Sequence, residues 1–183
     1  MRNIALLATT LAACSGLSGV SPAQTPERAR TGPVQAVDDF PGAEDPNSAF
    51  DRLIRHETPA ARVYEDRDVL VILSNKPLVT GHAVVISKTS HARSLIAMPP
   101  GMLAKMMAAA RRVMVAQRRV LGTTGALVLS ASGTEQTIPH LHIHVIPTRP
   151  GDSAVAILSG HAQMSDAEIA ALAERVAAAM PPA

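Results

Sequence analysis

The spacing of apolar positions along the chain changes repeatedly, and each change marks an element. Phe50, Leu53 and Ile54 recur at i, i+3, i+4 behind Ser48, which stands where a helix cap belongs, and Pro59 stops the run. Arg62–Glu65 and Val69–Leu73 are β-prone and straddle Asp66-Arg67-Asp68, which predicts a hairpin. Lys76-Pro77 interrupts, and Gly81 opens a third apolar run over 83–86 that reads as a strand. Pro99-Pro100 precedes a long helix over about 101–121, with Met, Ala and Leu positions forming its apolar stripe. Its methionines read as core filler. Arg111, Arg112, Arg118 and Arg119 load its later turns, where cations complement the helix dipole, and read as a solvated face. Gly122 and Gly125 end it, and residues 126–130 read as a strand followed by a polar loop. Beyond Pro150, Ser165-x-x-Glu168 has the form of a capping box and predicts a helix over about 165–180.

Strands in runs with helices between them predict an α+β fold: a mostly antiparallel sheet with a short N-terminal helix and one long helix. The domain expected to carry that fold spans 48–150, followed by an extension over 151–183. Residues 15–47 are rich in Ser, Pro, Gly, Ala and Gln without sustained apolar period, and read as a flexible linker.

Charge and composition remove one class of function. With 17 basic and 15 acidic residues the formal charge is +2, and Phe40, Phe50 and Tyr64 are the whole aromatic complement. Neither a basic footprint nor a stacking platform for nucleic acid is expected. The first residues are a separate matter. Met1-Arg2-Asn3 gives a short positive start, and residues 4–13 form an apolar run too short for a membrane-spanning helix but of signal-peptide length. Leu11-Ala12-Ala13-Cys14 resembles the lipobox of bacterial lipoproteins, which implies cleavage before Cys14 and its lipidation. Ser15 behind it, rather than Asp, implies the outer membrane. The expectation is an exported, membrane-anchored envelope protein with no disulfide, since Cys14 is the single cysteine.

The segment His140-Leu141-His142-Ile143-His144-Val145-Ile146-Pro147 carries the chemistry. On a strand the three imidazoles share one face, about 6.6 Å apart, while Leu141, Ile143 and Val145 point into the core and fix the register. Three readings stay open from these residues: a polar face, a metal site on imidazole ligands, or covalent catalysis at phosphorus.

The segment resembles the signature of the histidine triad (HIT) family of nucleotide hydrolases and transferases, alternating histidine with hydrophobic residues. The likeness extends to Phe50-Asp51-Arg52-Leu53-Ile54 with Glu57-Thr58-Pro59-Ala60, to Val63-Tyr64-Glu65-Asp66, to the run from Gly81-His82 to Ser87-Lys88, and to Gln136-Thr137. The resemblance implies a HIT-like fold, a homodimer, and a hydrolase needing neither metal nor other cofactor. His142 would attack the α-phosphorus of a nucleotide, with its other nitrogen held by a backbone carbonyl. His140, His144 and His82 would support it, Gln136 and Thr137 would meet the phosphate, and Phe50, Leu53 and Ile72 would wall the base. A phosphoramidate or phosphoanhydride is the implied substrate class. Where the family has a ribose-binding aspartate, Ser74 stands, followed by Asn75; Glu135 replaces a glycine. These departures leave a second reading open, a catalytically idle binding module. His56, His91 and His161 match no block and read as surface residues.

Overall fold

The computed structural model describes residues 47–133 and 136–182. The signal over 1–14 with Cys14, the linker up to residue 46, and Glu135 lie outside the described residues.

Helix α1, Ala49–Ile54, starts at Ser48, whose hydroxyl accepts the Asp51 N–H. Strands β1, Arg62–Glu65, and β2, Val69–Leu73, form the expected hairpin. Its turn is held by Asp66 Oδ1, which accepts the N–H groups of Asp68 and Val69 at 2.7 Å each. Strand β3 is Ala83–Ser87. Gly81, just before it, has φ 89°, and a Cβ there would overlap Leu121 Cδ1, so only glycine serves at this turn. Helix α2, Pro100–Leu121, begins on a proline and ends at Gly122 in the left-handed conformation. Strands β4, Gly125–Leu129, and β5, His142–Thr148, follow. Two helices close the described chain: α3, Ala154–Leu158, and α4, Asp166–Ala178, the latter opened by a complete Ser165/Glu168 capping box. The sequence pattern gave no sign of α3, because five residues hold too little periodicity to read.

The five strands form one antiparallel sheet in the order β1-β2-β3-β5-β4, so the fold is α+β as expected. Pairing β5 between β3 and β4 sets His144 opposite Val84 and Leu129, and His142 opposite Ile86. Because the side-chain period is two, the register decides every face at once. One face carries Val69, Val71, Ala83, Val85, Ile143 and Val145 against Met106, Ala110 and Val113 of α2. Ile169, Leu172 and Val176 of α4 belong to the same cluster, so the stretch beyond residue 150 helps close this core. The other face carries Leu70, Ile72, Val84 and Ile86 under Phe50 of α1.

Arg111, Arg118 and Arg119 of α2 are exposed as expected, and Arg112, half-buried, departs from that reading. Arg112 lies 4.3 Å over the Tyr64 ring and donates to the Pro181 carbonyl at 2.9 Å, and Arg119 donates to the Ala179 carbonyl at 2.8 Å. Both ends of this contact depend on α4 returning to α2, which no local pattern encodes. The methionine reading holds for Met106, fully buried, while Met107 is 44% exposed.

Candidate active site

The face beneath α1 gathers four imidazoles. His142 and His144 sit on β5, and His82 precedes β3 directly. His140 was expected on the same strand, but β5 begins at His142. Pro139 has no N–H to give a ladder, and the chain on either side finds other partners: His140 N–H donates to Ile138 O at 2.8 Å and Leu141 N–H to Ala92 O at 2.8 Å. His140 nonetheless turns its ring to the same side, edge-on to Phe50 with centroids 6.0 Å apart. Phe50 also meets His142 at 4.9 Å, and His142 meets His144 at 4.7 Å. Leu141, Ile143 and Val145 are all buried in the opposite core. Alternation therefore holds, through a strand at two histidines and through a bend at the third.

Hydrogen bonds fix the proton on each ring. The His142 Nδ1–H donates to the His140 carbonyl at 2.8 Å, which leaves Nε2 with a bare lone pair. His82 Nδ1 accepts the Leu78 N–H at 3.3 Å, so its proton is on Nε2 and donates to His144 Nδ1 at 2.9 Å. His144 must then carry its own proton on Nε2. The His140 Nε2–H donates to the Ser87 carbonyl at 2.9 Å. On the neighbouring rings of His142 and His144, an acceptor (His142 Nε2) and a donor (His144 Nε2–H) are thus left without protein partners among the described residues.

Burial keeps these rings neutral. His82 is pushed down to about 4 by burial and then by the neighbouring His142. His144 is pushed down to about 4 by burial, then by His142 and His82. His142 is lowered by burial, against the opposing pull of the His140 carbonyl, and His140 is lowered by burial, against the Ser87 carbonyl and Asp51. A neutral ring at ordinary pH is what a nitrogen nucleophile requires.

The remaining expected residues divide. Leu53 packs against the cluster of Phe50 and Ile72, so the three form one apolar wall. The Ser74 hydroxyl closes its own turn by accepting the Lys76 N–H at 3.2 Å, and Asn75 is exposed. Thr137 is exposed in the loop before His140. Among the described residues no hydrogen bond joins Ser74, Asn75 or Thr137 to a histidine ring. Gln136 turns its amide nitrogen to the Arg93 carbonyl at 2.8 Å and leaves Oε1 buried with no hydrogen-bond partner. Ser130 donates its hydroxyl to the His142 carbonyl at 2.8 Å, backing the central residue from β4's end.

Two residues the sequence reading did not assign stand beside the triad. Asp51 is 3% exposed. It accepts the Ser48 hydroxyl, lies 3.1 Å from His91 Nδ1 and 3.8 Å from His140 Nδ1. His91, taken as a surface residue, is half-exposed but faces this carboxylate and stacks edge-on to His140 at 5.7 Å. Asp51, His91 and His140 present ligand atoms all within 4.8 Å of one another, the one such group among the described residues that could hold a metal ion. The usable signal was Asp51 itself, an acid one residue after Phe50 in a helix whose apolar side meets the triad.

Comparison with known proteins agrees with this geometry. Residues 55–151, just over half of the chain, match the family described as HIT domain. An uncharacterized HIT-like protein of Mycobacterium tuberculosis is 37% identical over 105 residues, which are 56% of this chain and 72% of that one. The adenylylsulfatase HINT3 of Arabidopsis thaliana is 34% identical over 108 residues, 56% of this chain and 53% of that one. The adenosine 5'-monophosphoramidase HNT1 of Saccharomyces cerevisiae is 29% identical over 117 residues, 64% of this chain and 72% of that one. Among solved structures, a HIT-like protein from Bartonella henselae aligns with a TM-score of 0.67 at 29% identity, covering 75% of this chain and all of that one. With the family's motif mapped onto a sheet that its solved members share, this protein belongs to the HIT domain family.

Proposed function

We propose that this protein hydrolyses a nucleotidyl substrate, a phosphoramidate, phosphoanhydride or related compound, through a covalent nucleotidyl-His142 intermediate. The observation that carries this reading is the bond from His142 Nδ1–H to the His140 carbonyl, which leaves Nε2 free to attack. In the first step Nε2 forms a bond to the α-phosphorus and the bond to the leaving group breaks. The leaving group departs against the Nε2–H of His144, which donates a hydrogen bond to it while His82 supports Nδ1; an acidic leaving group keeps the electron pair as its negative charge, and an amine takes its proton from solvent. In the second step water attacks phosphorus, the bond from phosphorus to His142 Nε2 breaks and returns the electron pair to that nitrogen, and the proton lost by the water passes to solvent.

Phe50, Leu53 and Ile72 wall the base in this reading. Thr137 meets the phosphate from the loop before the triad. Gln136 joins it only by turning its amide away from the Arg93 carbonyl. Ser74 offers ribose a single hydroxyl proton, because its oxygen already serves the Lys76 N–H. A diol would lose charge-assisted hydrogen bonds worth about 1.5–3 kcal/mol each. The substrate preference therefore rests on the phosphorus centre and the base wall more than on the sugar. The relatives named as an adenylylsulfatase and a monophosphoramidase act within that substrate class.

The same proposal carries the lipid anchor at Cys14, an exported enzyme at the periplasmic face of the outer membrane, and a homodimer. The edge position of β4 with its exposed Val128, and the exposed Met107 on α2, suit a second copy.

The test is an alkaline quench of the protein with an adenosine phosphoramidate, adenylyl sulfate and a dinucleoside polyphosphate, read by mass spectrometry. An AMP adduct on the peptide carrying His142, absent in His142→Ala, is the expected result. Turnover of any of the three that survives His142→Ala at full rate would end this assignment. No turnover and no adduct with all three would favour the idle binding module.

A further inference from the structure

The geometry points to the segment behind α3 as a positioning element for the His82–His144 pair, acting from Gly160 and Ala162 through the Pro77–Leu78 peptide. Its effect on turnover rests on the reaction proposed above; its effect on the two rings does not.

Both residues lie beyond the stretch 55–151 that matches the HIT domain. The Ala162 N–H donates to the Pro77 carbonyl at 2.8 Å. The other end of that same peptide is the Leu78 N–H, which donates to His82 Nδ1 at 3.3 Å. The His82 Nε2–H then donates to His144 Nδ1 at 2.9 Å. One line of hydrogen bonds thus runs from a main-chain amide near the C-terminus to the ring of His144. A main-chain N–H can only donate, so Leu78 requires His82 Nδ1 to be bare. That fixes the direction of the bond between the two rings, and His144 keeps its own proton on Nε2.

The Leu78 bond is the weak link. It is longer than the usual N–H bond of about 2.9–3.0 Å, so the aim of the peptide decides whether it holds. The loop 74–82 that carries this peptide is closed at its base, where Ser74 N–H donates to His82 O at 2.9 Å and His82 N–H to Val79 O at 3.1 Å. Neither bond touches the Pro77–Leu78 peptide. The Ala162 N–H meets it from the carbonyl side. A carbonyl that accepts a hydrogen bond also makes the N–H of its own peptide a stronger donor. The Ala162 amide is itself firmly placed. Ile157 of α3 is buried, and the Gly160 N–H donates to its carbonyl at 3.0 Å. A Cβ on Gly160 would stand 3.1 Å from Ala156 O, 3.2 Å from Ile157 O and 3.3 Å from Leu78 O. All three are main-chain atoms with no flexible side chain to give way, so glycine lets the segment come this close to the loop.

Breaking the line releases the choice of tautomer. His82 with its proton on Nδ1 has a bare Nε2, and His144 must turn its own proton to Nδ1 to meet it. His144 Nε2 then offers a lone pair to the leaving group in place of a donor.

Gly160→Ala crowds the segment off the loop, and Ala162→Pro removes the donor outright. Both rings are pushed down to about 4 and so are neutral at neutral pH, where imidazole ¹⁵N spectra of the ligand-free protein read the tautomer. The wild-type protein should show His82 and His144 with the proton on Nε2. Each variant should move both rings together towards the Nδ1–H form, while His142, held by the His140 carbonyl, keeps its spectrum. In the same variants kcat should fall about tenfold, less than the roughly hundredfold or more that follows complete loss of such a donor. Should Ala162→Pro fail to fold, Gly160→Ala carries the test. Native spectra of both rings would overturn the proposal, as would a shift of His82 alone or a fall in kcat with both tautomers unchanged. A joint shift in a protein that turns over no nucleotide would support the positioning role while removing the proposed reaction.

Discussion

The two faces of the sheet are both largely buried and differently built. Beneath α2 and α4, Val69, Val71, Val85, Ile143 and Val145 pack in a cluster made mostly of aliphatic side chains, where excluding water is most of what is required. Beneath α1, Leu70, Ile72, Val84 and Ile86 share their face with His82, His140, His142 and His144. Each imidazole there needs a partner: main-chain groups of Leu78, Ser87 and His140 serve His82, His140 and His142, and the His82 ring serves His144. The first face can be altered at the cost of stability alone. On the second, removing one partner changes which nitrogen carries a proton, and so changes chemistry with little change in folding.

That contrast is open to direct attack. The largest expected effect is at its centre. His142→Ala should lower kcat by at least about a thousandfold while costing less stability than a truncation in the aliphatic core, because the ring gives up one main-chain hydrogen bond and edge contacts with Phe50 and His144. A stability loss as large as that of a core truncation would erase the distinction between the faces. Ile143→Ala, one residue away on the other face, should do the reverse. It should cost about 2–5 kcal/mol in urea unfolding, with kcat per folded molecule near wild type. A comparable loss of kcat in the folded fraction would show that the two faces are not separable.

A smaller effect comes with pH. Unfolded His82 and His144 bind protons near 6.5, whereas in the folded protein they wait until about 4. Between those values the unfolded chain holds more protons, so stability is full above 6.5 and is lost as pH falls towards 4. Melts should give a lower midpoint at pH 5 than at pH 7, and His144→Asn should flatten part of that slope; parallel melts for the two proteins would contradict the burial argument. The smallest effect is at Ser130, whose hydroxyl backs the His142 carbonyl. Ser130→Ala should cost about 1 kcal/mol and shift kcat by a few-fold at most. A loss as large as that of His142→Ala would mean that β4 takes part in the chemistry.

Much of this was readable before any coordinates. The hairpin, the long helix and the capped last helix follow from local pattern, because period, proline and cap residues act within a few positions. The catalytic face was readable from Leu141, Ile143 and Val145, since their burial leaves the histidines one direction to take. Three things were not. Helix α3 is too short to show a period. The role of Arg112 needed Tyr64 and Pro181, far apart in sequence. The pairing of Asp51 with His91 and His140 joins α1, the loop after β3 and the entry to β5, which only the closed fold brings together.

The chain by itself determined that an alternating strand would present histidines opposite a core, because a strand has two faces and aliphatic burial selects one of them. Which nitrogen of each ring keeps its proton was decided by tertiary structure alone. That choice depends on groups brought to about 3 Å by the folded chain, from distant segments for His140 and His144 and from a bend or turn close by for His142 and His82, and the main-chain groups among them are the same in nearly every residue type.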